Sequence, residues 1–301
     1  MNDKKSYQTN KYFSSIGLGC VTFGREIDWK TSFAIMDFAR SRGVTFFDTA
    51  ASYGNGASET IIGDWLIKQQ PEGESIMVAT KILPPYTPSN IRQSVHQSLK
   101  RLRTPFIDVL YLHRWDPDIE SISTLEELHH LVQEGKVRVI GASNFNAAQL
   151  NHVLQKQISH RLTYFQTIQN NNNLAVSDVN DEIRDICRQY NIAIVTYSPL
   201  GAGFLTGKYH EGATSGTRFS LIPGHQAIYF NEHAFNRLAK LQAVSLNTGY
   251  SPSYLALAWA LHQQGISSVL VGGRSIDNLE MALSALNFDS LKIFSELESI
   301  S

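Results

Sequence analysis

The stretch FFDTAASYGNGASE, residues 46–59, runs from two aromatic residues into Asp48, then through small residues to Tyr53, two glycines and a Ser-Glu pair. The apolar residues leading into it read as a buried strand, and Ser58-Glu59 as the first turn of a helix. A chain leaving a buried strand thus carries a carboxylate at the strand end and a phenol five residues later. A turn with a helix cap accounts for this arrangement, and so does a loop built for catalysis. Its surroundings decide between the two.

Outward from this stretch, short apolar runs alternate with helical patterns. Upstream, SIGLGC (15–20) is a strand candidate, and WKTSFAIMDFARSRG (29–43) has apolar spacing near 3.6 with Gly43 as its stop. Downstream, SIMVATK (75–81) precedes a helix opening near Pro88 and Ser89, and FIDVLYLH (106–113) precedes one over about 123–134. VRVIGASN (137–144) precedes a helix from about Asn146, and LTYFQTIQ (162–169) one from about Asp178. IAIVTYSPL (192–200) leads into an irregular glycine-rich stretch (201–225) and two helical segments, the second with Ser251 as N-cap and Pro252 at its first position. SSVLVGG (267–273) and a helix from Ser275 complete the order.

Strands that are apolar along their length predict a parallel sheet covered on both faces. Eight strand-helix units in 301 residues predict an α/β chain closed as a single (β/α)8 TIM barrel over residues 1–301. The alternative is a doubly wound open sheet. No strand is followed by GxGxxG, since GLGCVTFG (17–24) and GAGFLTG (201–207) both miss the spacing, so a Rossmann dinucleotide site lacks motif support.

A net charge of −1 gives no long-range attraction for nucleic acid or an anionic membrane, so neither is an expected partner. The polar start MNDKKSYQTNKYFSS lacks the apolar core of a signal peptide, and no apolar run approaches the roughly 20 residues of a membrane helix. Cys20 and Cys187 stand in neither metal-ligand nor redox spacing. No metal and a reducing, cytoplasmic compartment are expected. The pattern specifies no oligomeric state.

In a barrel, chemistry gathers where strands end and loops begin on the C-terminal face. The second strand ends at Asp48 with Tyr53 in the loop beyond it, the third at Lys81 and the fourth at His113. Each residue has an ordinary structural role open to it: a turn, a packed ring, a satisfied histidine. Lys81 is the least ordinary, because a lysine after IMVA needs a partner near a low-dielectric site, and Asp48 supplies one. Together the four suit carbonyl reduction, in which a hydride adds to the C=O carbon and the oxygen takes a proton. Tyr53 would donate that proton, with the Lys81 ammonium favouring its loss. Asp48 would hold the ammonium, and His113 would donate a hydrogen bond to the substrate oxygen.

GVTFFDTAASYGNGASE, VATK, IDVLYLHRWDP, GKVRVIGASNF, YSPLGAGFLTGKY and SSVLVGGRS, in this order, resemble the aldo-keto reductase family, in particular its sugar-aldehyde reductases and potassium-channel β-subunit relatives. The resemblance runs from about Gly17 to about Leu286. It implies that Asp48, Tyr53, Lys81 and His113 form a catalytic tetrad. It also implies an NADPH/NADP+ cofactor, with NADH possible, and a small carbonyl or sugar substrate. Ser143, Asn144 and Gln169 match residues that bind the nicotinamide carboxamide, and Tyr197 matches the ring stacked on it. Ser198, Pro199, Leu200 and Gly201 match the turn along the pyrophosphate. Lys208 and Arg218 match a flap that covers the cofactor, here at about 201–230. Gly272 and Arg274 match the turn at the adenosine 2′-phosphate. Asn172 stands where the family has Tyr, and Met281 and Ala282 where it often has Glu-Asn against adenine. Phe23, Trp29, Trp115 and the 201–230 loop are expected to wall the substrate pocket. Two other readings stay open: a cofactor-sensing subunit of the channel type, and a phosphate-binding barrel isomerase or aldolase with Lys81 as a Schiff-base lysine.

Overall fold

The computed structural model describes residues 13–69, 75–209, 218–221, 224 and 226–299. Its strands are β1 (Ile16–Gly19), β2 (Phe46–Asp48), β3 (Met77–Ile82), β4 (Ile107–Leu112), β5 (Val137–Ser143), β6 (Thr167–Asn171), β7 (Ala193–Tyr197) and β8 (Ser268–Val271). Each pairs in parallel with its chain neighbour, and β8 closes on β1. The (β/α)8 barrel expected from the pattern is the fold. Around it lie α1 (Trp29–Ser41), α2 (Ala57–Lys68), α3 (Pro88–Leu102), α4 (Ile122–Gln133), α5 (Ala147–Ser159) and α6 (Asp181–Tyr190). Two single-turn helices, α7 (Arg218–Leu221) and α8 (Gln226–Tyr229), precede α9 (Glu232–Thr248), α10 (Pro252–Leu261), α11 (Ile276–Ala285) and α12 (Leu291–Glu298). No helix among the described residues is long and apolar enough to cross a membrane.

Side-chain alternation along the strands positions the site. One parity of each strand fills the barrel: Phe46, Ala79, Val109, Tyr111, Val195 and Leu270 form a cluster of their own inside it. The same parity, carried to the C-terminal rim, gives Asp48 after Phe46, Lys81 after Ala79, Ser143 after Gly141, Gln169 after Thr167 and Tyr197 after Val195. An apolar plug therefore supports a polar rim. Gly141 makes room for the plug, because a Cβ there would lie 2.7 Å from the Tyr111 ring and 2.6 Å from the Thr167 carbonyl. The opposite parity packs outward, as Phe47 does on Trp65.

The helix starts follow their capping residues. Asp28, Thr87, Asn146, Asn180, Asn231 and Ser251 each accept a bond from the first turn of their helix, and Gln149 completes a capping box with Asn146. Three expectations shift. Strand β6 starts at Thr167 rather than Leu162, and α6 starts at Asp181 behind its Asn180 cap. The C-terminal α12, absent from the pattern reading, is signalled by the Ser290 cap and the helical spacing of Ile293, Phe294 and Leu297, which pack on the core. Phe23 is fully buried and walls no open pocket, and Trp29 lies in an outer groove against Phe33 and the Lys68 ammonium of α2.

Candidate active site

The stretch from Asp48 to Glu59 is fastened at several points. The Thr49 hydroxyl donates to Ser58 Oγ at 2.8 Å, and Ser58 in turn donates to the Cys20 carbonyl at 2.8 Å. Glu59, fully buried, accepts from Thr80 and from Arg101, each at 2.6 Å. Tyr53 opens a tight turn in which Gly54, Asn55 and Gly56 all have positive φ. Glycine and asparagine are the residues that adopt this conformation at least cost. The turn folds Tyr53 back over the end of β3.

There the four candidate residues meet. The Lys81 ammonium, 1 % exposed, pairs with Asp48 Oδ1, donates to the Thr49 carbonyl at 2.9 Å and lies 3.4 Å from the Tyr53 hydroxyl. The other Asp48 oxygen accepts from Gln169 Nε2 at 2.8 Å. Burial of an ion costs several kcal/mol, and a buried pair is tolerated only where geometry is good and the remaining polar atoms are bonded. Asp48–Lys81 meets that condition through Thr49 and Gln169. Burial pulls Lys81 toward losing its proton, but the Asp48 charge and the Tyr53 oxygen, with their hydrogen bonds, together outweigh this and hold it protonated. Burial lifts Asp48 above the usual carboxylate range, with Lys81 and Gln169 acting against the rise.

His113 stands edge-on to Tyr53, ring centroids 5.9 Å apart. Burial, with the Lys81 and Arg114 charges, lowers its pKa to about 3, so the imidazole is neutral at physiological pH. Its Nδ1 is buried without a hydrogen-bond partner. An unpaired lone pair is less costly to bury than an unpaired N–H. The single proton is therefore assigned to Nε2.

A second cluster sits on β5, β6 and β7. Ser143 Oγ donates to the Gln169 carbonyl at 2.8 Å. Asn144, at φ 60°, donates through Nδ2 to the His113 carbonyl at 2.9 Å and accepts at Oδ1 from the Tyr197 hydroxyl at 2.5 Å. Its backbone N–H reaches Asn170 Oδ1 at 2.9 Å, and Asn170 Nδ2 donates to the Phe145 carbonyl at 2.8 Å. Asn144 thus ties the tetrad's histidine to the half-buried Tyr197 ring. Ser198 follows at φ 56° and Gly201 at φ 57°, bracketing Pro199 and Leu200 in a tight turn closed by the Gly201 N–H on the Ser198 carbonyl at 2.8 Å.

The remaining expected cofactor residues are looser. Lys208 is exposed, its ammonium over the Tyr209 ring. Arg218 opens α7, and its side chain lies outside the described residues. Gly272 is a glycine for a backbone reason, since a Cβ would lie 2.8 Å from the Gly19 carbonyl of β1. Arg274 is exposed, and its backbone N–H donates to Asn278 Oδ1 at 3.2 Å. Trp115 packs edge-on to Phe145 beside the β4 end. The sequence reading missed Thr49, Asn170 and the Asn171–Asn173–Tyr229 contacts. The run of asparagines at 170–173 is the available signal, because adjacent amides entering the barrel rim call for hydrogen-bond partners, which Asn170, Asn171 and Asn173 find in full and Asn172 only through its Oδ1.

The model of the aldo/keto reductase family matches residues 15–299. A probable aldo-keto reductase 1 of Glycine max is 32 % identical over 289 residues, 91 % of this chain and 81 % of that protein. Aflatoxin B1 aldehyde reductase member 4 of Homo sapiens is 30 % identical over 290 residues, covering 89 % and 87 %. Among solved structures, a glycerol dehydrogenase from Gluconobacter oxydans superposes with a TM-score of 0.76 over 94 % of this chain and 90 % of that one; at 24 % identity it supports the fold alone.

Proposed function

Because the chain belongs to the aldo-keto reductase family, an oxidoreductase family acting on small carbonyl compounds, we propose that it is NADP(H)-dependent and reduces an aldehyde or ketone, sugars included, or oxidises the alcohol. The observation that carries the reading is the Lys81 ammonium between Asp48 and the Tyr53 hydroxyl.

The residues present fit a nicotinamide dinucleotide. A hydroxyl and two amides, Ser143, Asn144 and Gln169, stand beside the half-buried Tyr197 ring, which suits a carboxamide on a flat aromatic group. Gln169 Nε2 is committed to Asp48 and the side chain also meets the Tyr111 hydroxyl, so the amide is held in one orientation, with an oxygen whose second lone pair can accept from a carboxamide. The Ser198–Gly201 turn, Lys208, Arg218, Gly272 and Arg274 would take the phosphates. The cofactor, when bound, supplies or accepts the hydride at the carbonyl carbon.

The chain's own residues do the rest. Tyr53 gives its hydroxyl proton to the carbonyl oxygen, and the ammonium 3.4 Å away favours the phenolate left behind. Asp48 and the Thr49 carbonyl keep the ammonium aimed. His113, neutral and protonated at Nε2, donates to the same substrate oxygen without competing for the proton. In the oxidative direction each proton moves back along the same path. Met281 is exposed and Ala282 buried, so neither gives adenine a polar contact, and affinity for both dinucleotides is expected to be weaker than in relatives with Glu-Asn.

The test is a panel of aldehydes, ketones and sugars with NADPH and with NADH, followed at the nicotinamide absorbance. Carbonyl-dependent oxidation of NADPH, faster than of NADH, is expected. NADPH binding without turnover on any member would instead favour a cofactor sensor, and no binding of either dinucleotide would overturn the reading.

A further inference from the structure

Asn171 and Asn173 sit where β6 leaves the barrel, 4 % and 2 % exposed, and their side chains bond away from Asp48, Lys81 and the Ser143–Asn144 pair. They converge on Tyr229, which belongs to α8 in the segment that follows β7. Asn171 Nδ2 donates to the Tyr229 oxygen at 3.1 Å, and Asn173 Nδ2 approaches it at 3.3 Å. The phenol donates back to Asn171 Oδ1 at 3.3 Å. Asn173 Nδ2 also donates to Asn171 Oδ1 at 3.1 Å and to the Ser198 carbonyl at 3.0 Å. Asn173 Oδ1 is occupied by the N–H groups of Ala175 and Val176, each at 3.0 Å, so its amide cannot swing away.

The ring of Tyr229 completes the clamp. It stacks on Phe204, meets Phe219 edge-on, and lies 2.9 Å from where any Cβ at Gly201 would stand. One side chain therefore grips both ends of the Ser198–Gly201 turn: Ser198 through Asn173, and Gly201 by contact. Phe204, Phe219 and Phe230 already give this region its apolar burial. The hydroxyl adds direction, tying the segment after β7 to the end of β6. Burial pushes the Tyr229 phenol up, so it stays a neutral donor and acceptor.

We infer that Tyr229 is a positioning residue for dinucleotide binding: its hydroxyl, seated between Asn171 and Asn173, holds the Ser198–Gly201 turn in the shape that receives the phosphates. The inference rests on the reading of that turn as the pyrophosphate site. Tyr229→Phe keeps the ring and removes the oxygen, stranding Asn171 Nδ2. Loss of one such net hydrogen bond corresponds to about a tenfold change in an equilibrium constant.

The experiment measures NADPH dissociation constants by fluorescence titration for the wild type, Tyr229→Phe, Asn171→Ala and the double variant, each checked for folding by circular dichroism. NADPH affinity is expected to fall about tenfold in either single variant. The double variant is expected to be about as weak as one single, because the two groups form one contact. In steady state the KM for NADPH should rise while the KM for the carbonyl substrate does not. A general loosening of the fold would lower the active fraction and spare the cofactor KM. Unchanged affinity in both folded single variants, or losses that multiply in the double variant, would overturn the inference. A wild type that binds no dinucleotide would overturn the underlying reading, and the positioning role with it.

Discussion

At the β2–β3 side of the barrel mouth, three of the groups proposed for chemistry are joined: Asp48 and Lys81 are almost fully buried, and Thr49, Gln169 and Tyr53 occupy their remaining contacts. At the β8 turn, Arg274 is exposed, and among the described residues its hydrogen bond joins the backbone, not the guanidinium, to Asn278. The difference fits the role proposed for each. A proton donor needs its charge partner fixed before substrate arrives, and low dielectric makes that charge effective. A phosphate receptor needs an available cation, and an exposed guanidinium keeps its donors available until the ligand supplies the acceptor. Changes on the first side should spread through the cluster. Changes on the second should show only when the matching ligand is present.

Lys81→Met would test the first half most severely. It removes the charge and leaves Asp48 buried without its cation, so stability should fall by about 3–5 kcal/mol, as for other buried pairs broken on one side. Reduction should slow strongly, and its pH profile should change because the phenol loses its neighbouring ammonium. Urea unfolding and a pH series on the same protein measure both. A loss of activity with an unchanged pH profile would reduce Lys81 to packing.

His113 gives a subtler signature of the same burial. Its pKa is about 3 in the folded protein, against an ordinary value near 6.5. Between these values the unfolded chain binds a proton that the folded chain does not. Stability therefore rises with pH through this window and is lost as pH falls, by up to about 1.4 kcal/mol per pH unit from this group. His113→Phe should lose that part of the acid sensitivity, read as a shallower fall in stability between pH 6 and pH 4 (about the middle of the window). An equal slope in both proteins would show that the imidazole is not held neutral.

Arg274→Ala probes the exposed side, and its effect should be the most selective. NADPH affinity should fall about tenfold or more, NADH affinity little, and the gap should narrow as salt rises. Fluorescence titration of both dinucleotides decides it. Equal losses would show that Arg274 does not read the 2′-phosphate. If the Lys81 variant also discriminated between the two dinucleotides, the division between the sides would fail.

Legibility in the sequence divided along the same line. Asp48, Lys81 and His113 could be read as candidates because each ends an apolar strand, and a parallel barrel brings strand ends to one face. Tyr53 could be found because the glycines behind it mark a turn. Gln169's bond to Asp48 could not be found, since it joins residues 121 positions apart whose proximity only barrel closure creates. The same holds for Tyr229: in the sequence it is one aromatic among several in an irregular segment, and its partners lie 58 and 56 positions away. Strand β6 was placed too early because LTYF is as apolar and β-branched or aromatic as a strand, yet Tyr164 is exposed and the ladder begins at Thr167. Gly272 has a second reason to be glycine that the sequence does not show, since a Cβ there would lie 2.8 Å from the Gly19 carbonyl.

The central claim is that Tyr53 delivers the proton while the rest of the rim holds the cofactor. Single-turnover reduction of one active carbonyl compound by NADPH-loaded wild type and Tyr53→Phe, with NADPH affinity titrated for both, tests it most directly. The account predicts a rate loss of about 10²–10⁴-fold at nearly unchanged NADPH affinity. A variant that keeps more than about a tenth of the wild-type rate would contradict it, since general acid catalysis is worth far more than that.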